Sequence, residues 1–219
     1  MLQRRGFLLV AFVAAFLFVL GCASMGGETE SDENHAPQPL PAYSGKKIGV
    51  AVMDFETRVP SHGWRVGYGA SDMLITALVK SKKYRVYERD RLKSIMKEQN
   101  LQMSGAVDPA TAVRIGKLIG VKYIITGAVT EYGVAKSGAH GGGYFDVGKQ
   151  RYSASVDVRA VNVETGEIVF ADTGSGTLKS TRVKVLGFGG GESYDEKKAS
   201  QSMRMAIDDL MKKIYMELN

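Results

Sequence analysis

The longest apolar run in the chain, Phe7 to Leu20, constrains the architecture most, because it is only 14 residues long and lies directly behind Arg4 and Arg5. A helix that crosses a bilayer needs about 20 such residues, whereas the apolar segment of an export signal needs about 7 to 15. The run ends at Val19-Leu20-Gly21-Cys22, which resembles the cleavage motif in which the cysteine is lipidated and becomes the new N-terminus. Residues 1–21 are therefore expected to be a signal peptide and Cys22 the acylated residue. Several acyl chains hold a protein on a bilayer durably where one does not, so outer-membrane lipid is an expected partner. By resemblance to lipoprotein sorting, Ala23 in place of an aspartate implies the periplasmic face of the outer membrane. Cys22 is the single cysteine, so no intramolecular disulfide can form in a compartment that would favour one.

Residues 22–45 carry Glu28, Glu30, Asp32 and Glu33 with three prolines and no lysine or arginine. Such a stretch has too little to bury and reads as a disordered tether. Leaving out Arg4 and Arg5 lowers the net charge from +6 to +4, and leaving out the four tether acids places +8 on residues 46–219. That charge is spread singly rather than gathered into one patch, so nucleic acid is not an expected partner, and attraction to a membrane surface or an acidic partner uses it better.

One domain remains, residues 46–219. Lys46–Glu56 is rich in valine and isoleucine and predicts a strand, followed by a glycine-containing loop over Thr57–Gly69. Leu74, Ile75 and Leu78 share a face of a helix over Ser71–Lys82, Tyr84–Glu88 alternates as a short strand, and Asp90 offers a cap for a helix with Leu92, Ile95 and Met96 inward. Asp108 and Pro109 open another helix, whose Ala112, Ile115, Gly116 and Ile119 recur at helical spacing before Gly120. Tyr123–Val134 begins a long strand. Tyr152–Val163 and Glu167–Lys179 form a hairpin that turns at Glu164-Thr165-Gly166. Asp195–Leu218 closes the chain as a helix with Ala199, Met203, Ala206, Ile207, Leu210, Ile214 and Leu218 in one stripe. The order predicts an α/β domain of the α+β type, a mixed sheet covered by helices.

Five stretches together resemble a known family, the curli production assembly/transport lipoproteins of the CsgG type. They are the Cys22 N-terminus, KIGVAVMDFE at 47–56, MLITALVKSKKYRVYERDRLKSIMKEQ at 73–99, YIITGAVTEYGVAKSG at 123–138 and VDVRAVNVETGEIV at 156–169. The resemblance implies a homo-oligomeric ring whose periplasmic domains each lend two long hairpins to one outer-membrane barrel that exports a secreted polypeptide. With four strands per copy and about 36 strands in the largest barrels, about nine subunits would close it. It implies a pore constriction from the loop after the first strand, here with Ser61, His62, Trp64 and Tyr68 as candidates. It also implies a transmembrane hairpin over Glu131–Val158 that includes Phe145, with Tyr132, Val134, Tyr144, Val147, Tyr152 and Ala154 as outward candidates. A second hairpin over Thr177–Lys198 has a short return limb. Truncated strands leave unpaired backbone groups in hydrocarbon. The alternative is therefore a membrane-tethered periplasmic lipoprotein without a pore that binds a protein partner, as the related activators of penicillin-binding proteins do.

No enzyme is expected. Asp172-Thr173-Gly174-Ser175 matches the aspartic protease triplet, but that chemistry needs two carboxylates sharing a proton, and the triplet occurs once; it reads instead as a strand ending in a turn. His35, His62 and His140 have no metal-ligand spacing, and the glycines of 138–148 precede no Lys-Ser or Lys-Thr helix start. No metal or other cofactor is expected.

Overall fold

The computed structural model describes residues 39–60, 63, 65–87, 93–94, 97, 109–141, 145–185 and 194–219. A mixed sheet organises them: β1 (Ile48–Val52), β2 (Glu56–Thr57), β3 (Tyr84–Tyr87), β4 (Tyr123–Gly141), β5 (Phe145–Asn162) and β6 (Ile168–Val185). Helices α1 (Arg65–Lys80), α2 (Pro109–Ile119) and α3 (Glu196–Glu217) accompany it. The strand order is β3-β1-β4-β5-β6, with β2 also beside β4. β1 runs parallel to β3 and β4, while β4, β5 and β6 form an antiparallel meander.

The apolar run at β1 is continuous because helices cover both faces there. Val50 and Val52 join the cluster under α1 and α3, whereas Ala51 and Met53 join Ala112 and Ile115 of α2 on the opposite face. Farther along, the cluster under α3 takes Ala154, Val156, Val158 and Ala160 of β5, while Arg159 is exposed. This alternation is that of a sheet covered on one side.

The strand expected over Lys46–Glu56 is broken into β1 and β2, which meet β4 at Tyr123–Ile125 and at Ala128–Val129. Between them Phe55 lies over Gly127, where an added Cβ would come within 3.0 Å of its ring. The helix expected from Ser71 begins six residues earlier, at Arg65. The glycine there looked like loop but allows close packing: a Cβ on Gly67 would sit 2.2 Å from the Phe55 carbonyl oxygen, and Gly67 N–H donates to Thr57 Oγ1 at 2.9 Å. The helix expected after Asp90, with Leu92, Ile95 and Met96, lies outside the described residues.

The remaining elements follow the sequence closely. α2 starts on Pro109 and ends before Gly120, which holds φ +70° and donates to Gly116 O at 2.9 Å, a left-handed stop that suits glycine. The β5–β6 turn uses Gly166 at φ +77°. Asp195 caps α3 through Oδ1, which accepts from Lys197 N and Lys198 N at 3.0 and 3.3 Å. Replacing Asp195 with Ala is expected to cost about 1 kcal/mol, readable as a fall of about 3 °C in Tm by circular dichroism.

The far end of α3 is held by β3. Tyr84 Oη lies 2.9 and 3.0 Å from the carbonyl oxygens of Ile214 and Leu218; the first also accepts the Leu218 N–H, and the second is of the kind a helix terminus leaves without an intrahelical partner. Lys83 Nζ donates to Tyr215 O at 2.6 Å and Asn219 Oδ1 at 2.8 Å, and sits 4.9 Å from the centroid of the Tyr215 ring. Burial pushes this ammonium below the usual lysine range. Burial first, then the neighbouring Tyr215, Tyr123 and Tyr43, pushes the Tyr84 phenol above its ordinary value.

Candidate functional site: a three-stranded ribbon

Strands β4, β5 and β6 hold 19, 18 and 18 residues, about 60 Å at the usual rise. The 22 residues of α3 span only about 33 Å, so the ribbon is much longer than the helix laid on it. Pairing is unbroken from Tyr123↔Asn162 out to Gly141↔Phe145 except for one register shift between Val129 and Glu131. That bulge coincides with the end of the neighbouring β2 ladder, where Arg58 N–H donates to Val129 O at 2.9 Å. A bulge bends and twists its strand; here it marks the point at which the ribbon leaves the body of the sheet. Glu131 secures the far side by accepting from the hydroxyls of Ser153 and Ser155.

α3 lies on β6 through two glycines. A Cβ on Gly174 would stand 2.2 Å from Ala206 O and 2.5 Å from Leu210 Cγ, and one on Gly176 would stand 2.0 Å from Ser202 O. The Asp-Thr-Gly-Ser sequence that resembled a protease triplet is thus mid-strand, not the strand end expected, and its glycine admits a helix backbone. Asp172 forms an ion pair with Lys213 at 2.9 Å. The Lys213 hydrogen bond, and then the Thr173 amide, hold its carboxyl below the ordinary aspartate range.

At the other end of α3, Tyr152 Oη donates to Gln150 Oε1 at 2.8 Å and accepts from Asp195 N–H at 3.1 Å. This phenol joins the ribbon to the start of the helix. Tyr152 is fully buried with Leu178 and Ala199, and half-buried Tyr132 and Val134 pack against them. The outward position expected for Tyr152 and Ala154 is therefore corrected: both point under α3, because the helix needs an apolar floor along its whole length. Tyr132 and Val134 share that floor. Phe145 stands in register with Gly141 and Val185, and Val147 with Ala139 and Val183.

Tyr68 is also corrected. It belongs to the first turns of α1, with Lys93 Nζ 5.5 Å from its ring centroid, so the expected loop of Thr57–Gly69 shrinks to the residues between β2 and Arg65. Cys22, Ser61, His62, Trp64 and Tyr144 lie outside the described residues. So does the return limb of the second expected hairpin, since β6 extends to Val185 and the next described residue is Tyr194.

The residues that sequence reasoning passed over are Gly176, Asp209 and Lys213, while Gly174 was read only as part of a protease-like triplet. An alternating Gly-x-Gly within a strand pattern was the available signal, since glycine inside a strand marks close backbone approach. Among the described residues no helix is long and apolar enough to cross a membrane, which says nothing about crossing by strands.

Comparison with known proteins agrees with the resemblance read from the sequence. Residues 31–219 match the family described as "Curli production assembly/transport component CsgG". A putative lipoprotein of Neisseria meningitidis serogroup B is 29% identical over 90% of this chain and 88% of its own length. The curli production assembly/transport component CsgG of Escherichia coli K12 is 30% identical over 72% of this chain. The match spans 61% of that relative's length. Among solved structures, a Neisseria meningitidis lipoprotein aligns at TM-score 0.46 and 16% identity, over 76% of this chain and 97% of its own. The C-terminal domain of LpoB from Salmonella enterica aligns at TM-score 0.40 and 15% identity, over 60% and 84%. The chain belongs to the CsgG family, and its fold is the α+β domain with a mixed sheet that the sequence predicts.

Proposed function

We propose that this chain is a lipoprotein of the outer membrane, acylated at Cys22, whose copies gather side by side into a ring for the export or assembly of a secreted polypeptide. The observation that carries the reading is the pair of open edges on one ribbon. Among the described residues, no strand pairs with β4 beyond Val129 on its β2 side, nor with the outer side of β6. Two different edges on one body make a head-to-tail contact, and such contacts close into rings when the rotation between copies allows. A long unpaired edge is also a template for strand addition. The family membership and the relatives named as curli transport components support the same reading.

A second reading, a tethered periplasmic protein that binds a partner without a pore, is favoured by the charge of the ribbon. Lys136, Lys149, Arg151 and Lys179 are exposed, and in the register Lys136 falls beside Gln150 and Ser180 while Lys149 falls beside Ser137 and Thr181. Cations therefore stand on both faces, and a lysine or arginine facing lipid at the bilayer midplane costs about 2 to 4 kcal/mol.

Planar-bilayer conductance and negative-stain microscopy on the detergent-extracted lipoprotein separate the two. Rings with stepwise conductance are the expected result. Rings without conductance confine the protein to a periplasmic assembly, and a monomer that co-purifies with one stoichiometric partner overturns the ring.

A further inference from the structure

Helices α1 and α3, together with the strap of residues 39–43 ahead of β1, enclose a groove of about 820 Å³. Leu40 and Tyr43 of the strap pack on the main core, and Tyr215 Oη donates to Pro41 O at 2.7 Å. This wall is therefore built into the fold. The groove is lined below by Met73 and Ala77 of α1 and by Ile207 and Met211 of α3, all of which join the same core, and Met205 adds a third methionine. Thioether side chains adapt their shape to what lies on them, and grooves rich in them accept peptides of varied sequence. Along α3, Arg204, Asp208 and Lys212 recur at four-residue spacing and line the groove, while Asp209 and Lys213 turn to β6.

The rim is basic. Lys80, Lys82, Arg204 and Lys212 line the groove against one acid, Asp208, and four cations less one acid leave +3. None of the four cations forms an ion pair among the described residues, whereas Asp208 is engaged in an interaction of its own. Lys82 adds a second observation. Just past the end of α1 it holds φ 60° and donates its N–H to Val79 O at 3.2 Å, a left-handed stop that glycine supplies without steric cost. The chain carries a lysine there in spite of the strain, and an observed backbone outlier of this kind points to a use for the side chain. Here the use is an ammonium group at the mouth of the groove.

We propose that this groove docks a segment of an acidic partner polypeptide, with its apolar side chains on the methionines and its carboxylates against Lys80, Lys82, Arg204 and Lys212. Charge complementarity selects an acidic occupant, because opposite potentials steer the encounter and fix its register. Concavity selects a polypeptide over a bilayer: a headgroup surface is flat and meets cations on a convex face, whereas these cations ring a cleft between two helices and a strap. From Gln201 to Lys212 the lining of α3 extends about 16 Å, the length of about three helical turns or five extended residues. The groove is complete within one copy, so the inference stands whether or not copies gather into a ring.

The test adds a fluorescein-labelled peptide, Leu-Glu-Asp-Leu-Leu-Glu-Asp-Leu, to the full-length lipoprotein in detergent and reads anisotropy together with the methionine methyl resonances. Binding with a Kd of about 10 to 100 μM is expected at low salt, weakening about 10-fold once exposed charges are screened. Control peptides with glutamine and asparagine in place of the acids, or serine in place of the leucines, are expected to bind roughly 10-fold more weakly. The methyl groups of Met73, Met205 and Met211 are expected to shift on binding. Lys80→Glu/Arg204→Glu is expected to weaken binding about 10-fold with an unchanged far-UV spectrum. Lys82→Gly is expected to weaken it about 3-fold while Tm holds or rises, since glycine relieves the left-handed backbone. A probe that binds no better than its amide control overturns the acidic class. Binding that leaves the three methyl groups unmoved, or that survives the charge reversal, overturns the site. The same methyl shifts produced without peptide, by raising the protein concentration, make a second copy the occupant. Produced by bicelles containing phosphatidylglycerol but not by phosphatidylcholine alone, they make it an anionic bilayer, and either result overturns the polypeptide.

Discussion

Gly176→Val is expected to lower Tm by roughly 10 °C and to loosen α3 from the sheet. The atoms that a new side chain meets are backbone: Ser202 O at 2.0 Å and Ala206 N at 2.7 Å from the added Cβ. A flexible neighbour could swing away, but a helix backbone moves only as a unit, and α3 supplies much of the main core through Met203, Ala206, Ile207, Leu210, Met211 and Ile214. Overpacking of this kind costs about 3 kcal/mol when the surroundings cannot relax, and for a domain of this size each kcal/mol is worth about 2 to 4 °C. Gly174→Val meets Ala206 O at 2.2 Å and is expected to act similarly, with far less than additive loss in the double variant, because the first substitution already lifts the helix. Differential scanning calorimetry, with near-ultraviolet circular dichroism to follow the buried tyrosines, reads both. A melting temperature within 2 °C of wild type for Gly176→Val would contradict the close packing.

Cys22→Ala is the second large effect, and it acts on attachment while leaving the fold alone. Each buried methylene contributes about 0.8 kcal/mol to membrane partitioning, so loss of the acyl chains removes far more than the +8 of residues 46–219 can restore by attraction to anionic headgroups. The variant is expected to leave the membrane fraction almost completely, either as soluble periplasmic protein or as uncleaved precursor. Its melting temperature is expected to match wild type, since residues 46–219 supply the packed core. Fractionation by flotation, with mass spectrometry of residue 22 in the wild type, checks both halves. An unmodified Cys22 on the mature wild-type chain would remove the anchor and with it the outer-membrane placement.

Local chemistry was legible in the sequence where a single residue type settles a backbone choice. Pro109 and Gly120 bound α2 and Gly166 turns β5 into β6, each for a reason contained within a few residues: a fixed φ or a positive φ. The stripe from Ala199 to Leu218 gave the buried face of α3, since helical periodicity is a property of the chain alone. The valine-rich run at β1 gave a strand but not the break before Glu56, because that break answers to Phe55 crossing Gly127, 72 residues away.

The site was less legible for the same reason. Alternation marked Tyr132, Val134 and Tyr152 as one apolar face but could not say what would lie against it; lipid and a helix ask for the same side chains. Gly174 drew attention through the wrong chemistry, since a short motif carries no record of what passes over it. Composition, helix boundaries and turns are decided by neighbours in sequence, and the sequence by itself determined them. Which face of the ribbon is covered, and that Lys213 and Asp209 reach Thr173 and Ser175, depend on α3 returning along a strand about 40 residues earlier in the chain. Only the tertiary structure decides such a contact, because the free energy of packing rewards surfaces brought together by the whole fold and not by any one segment.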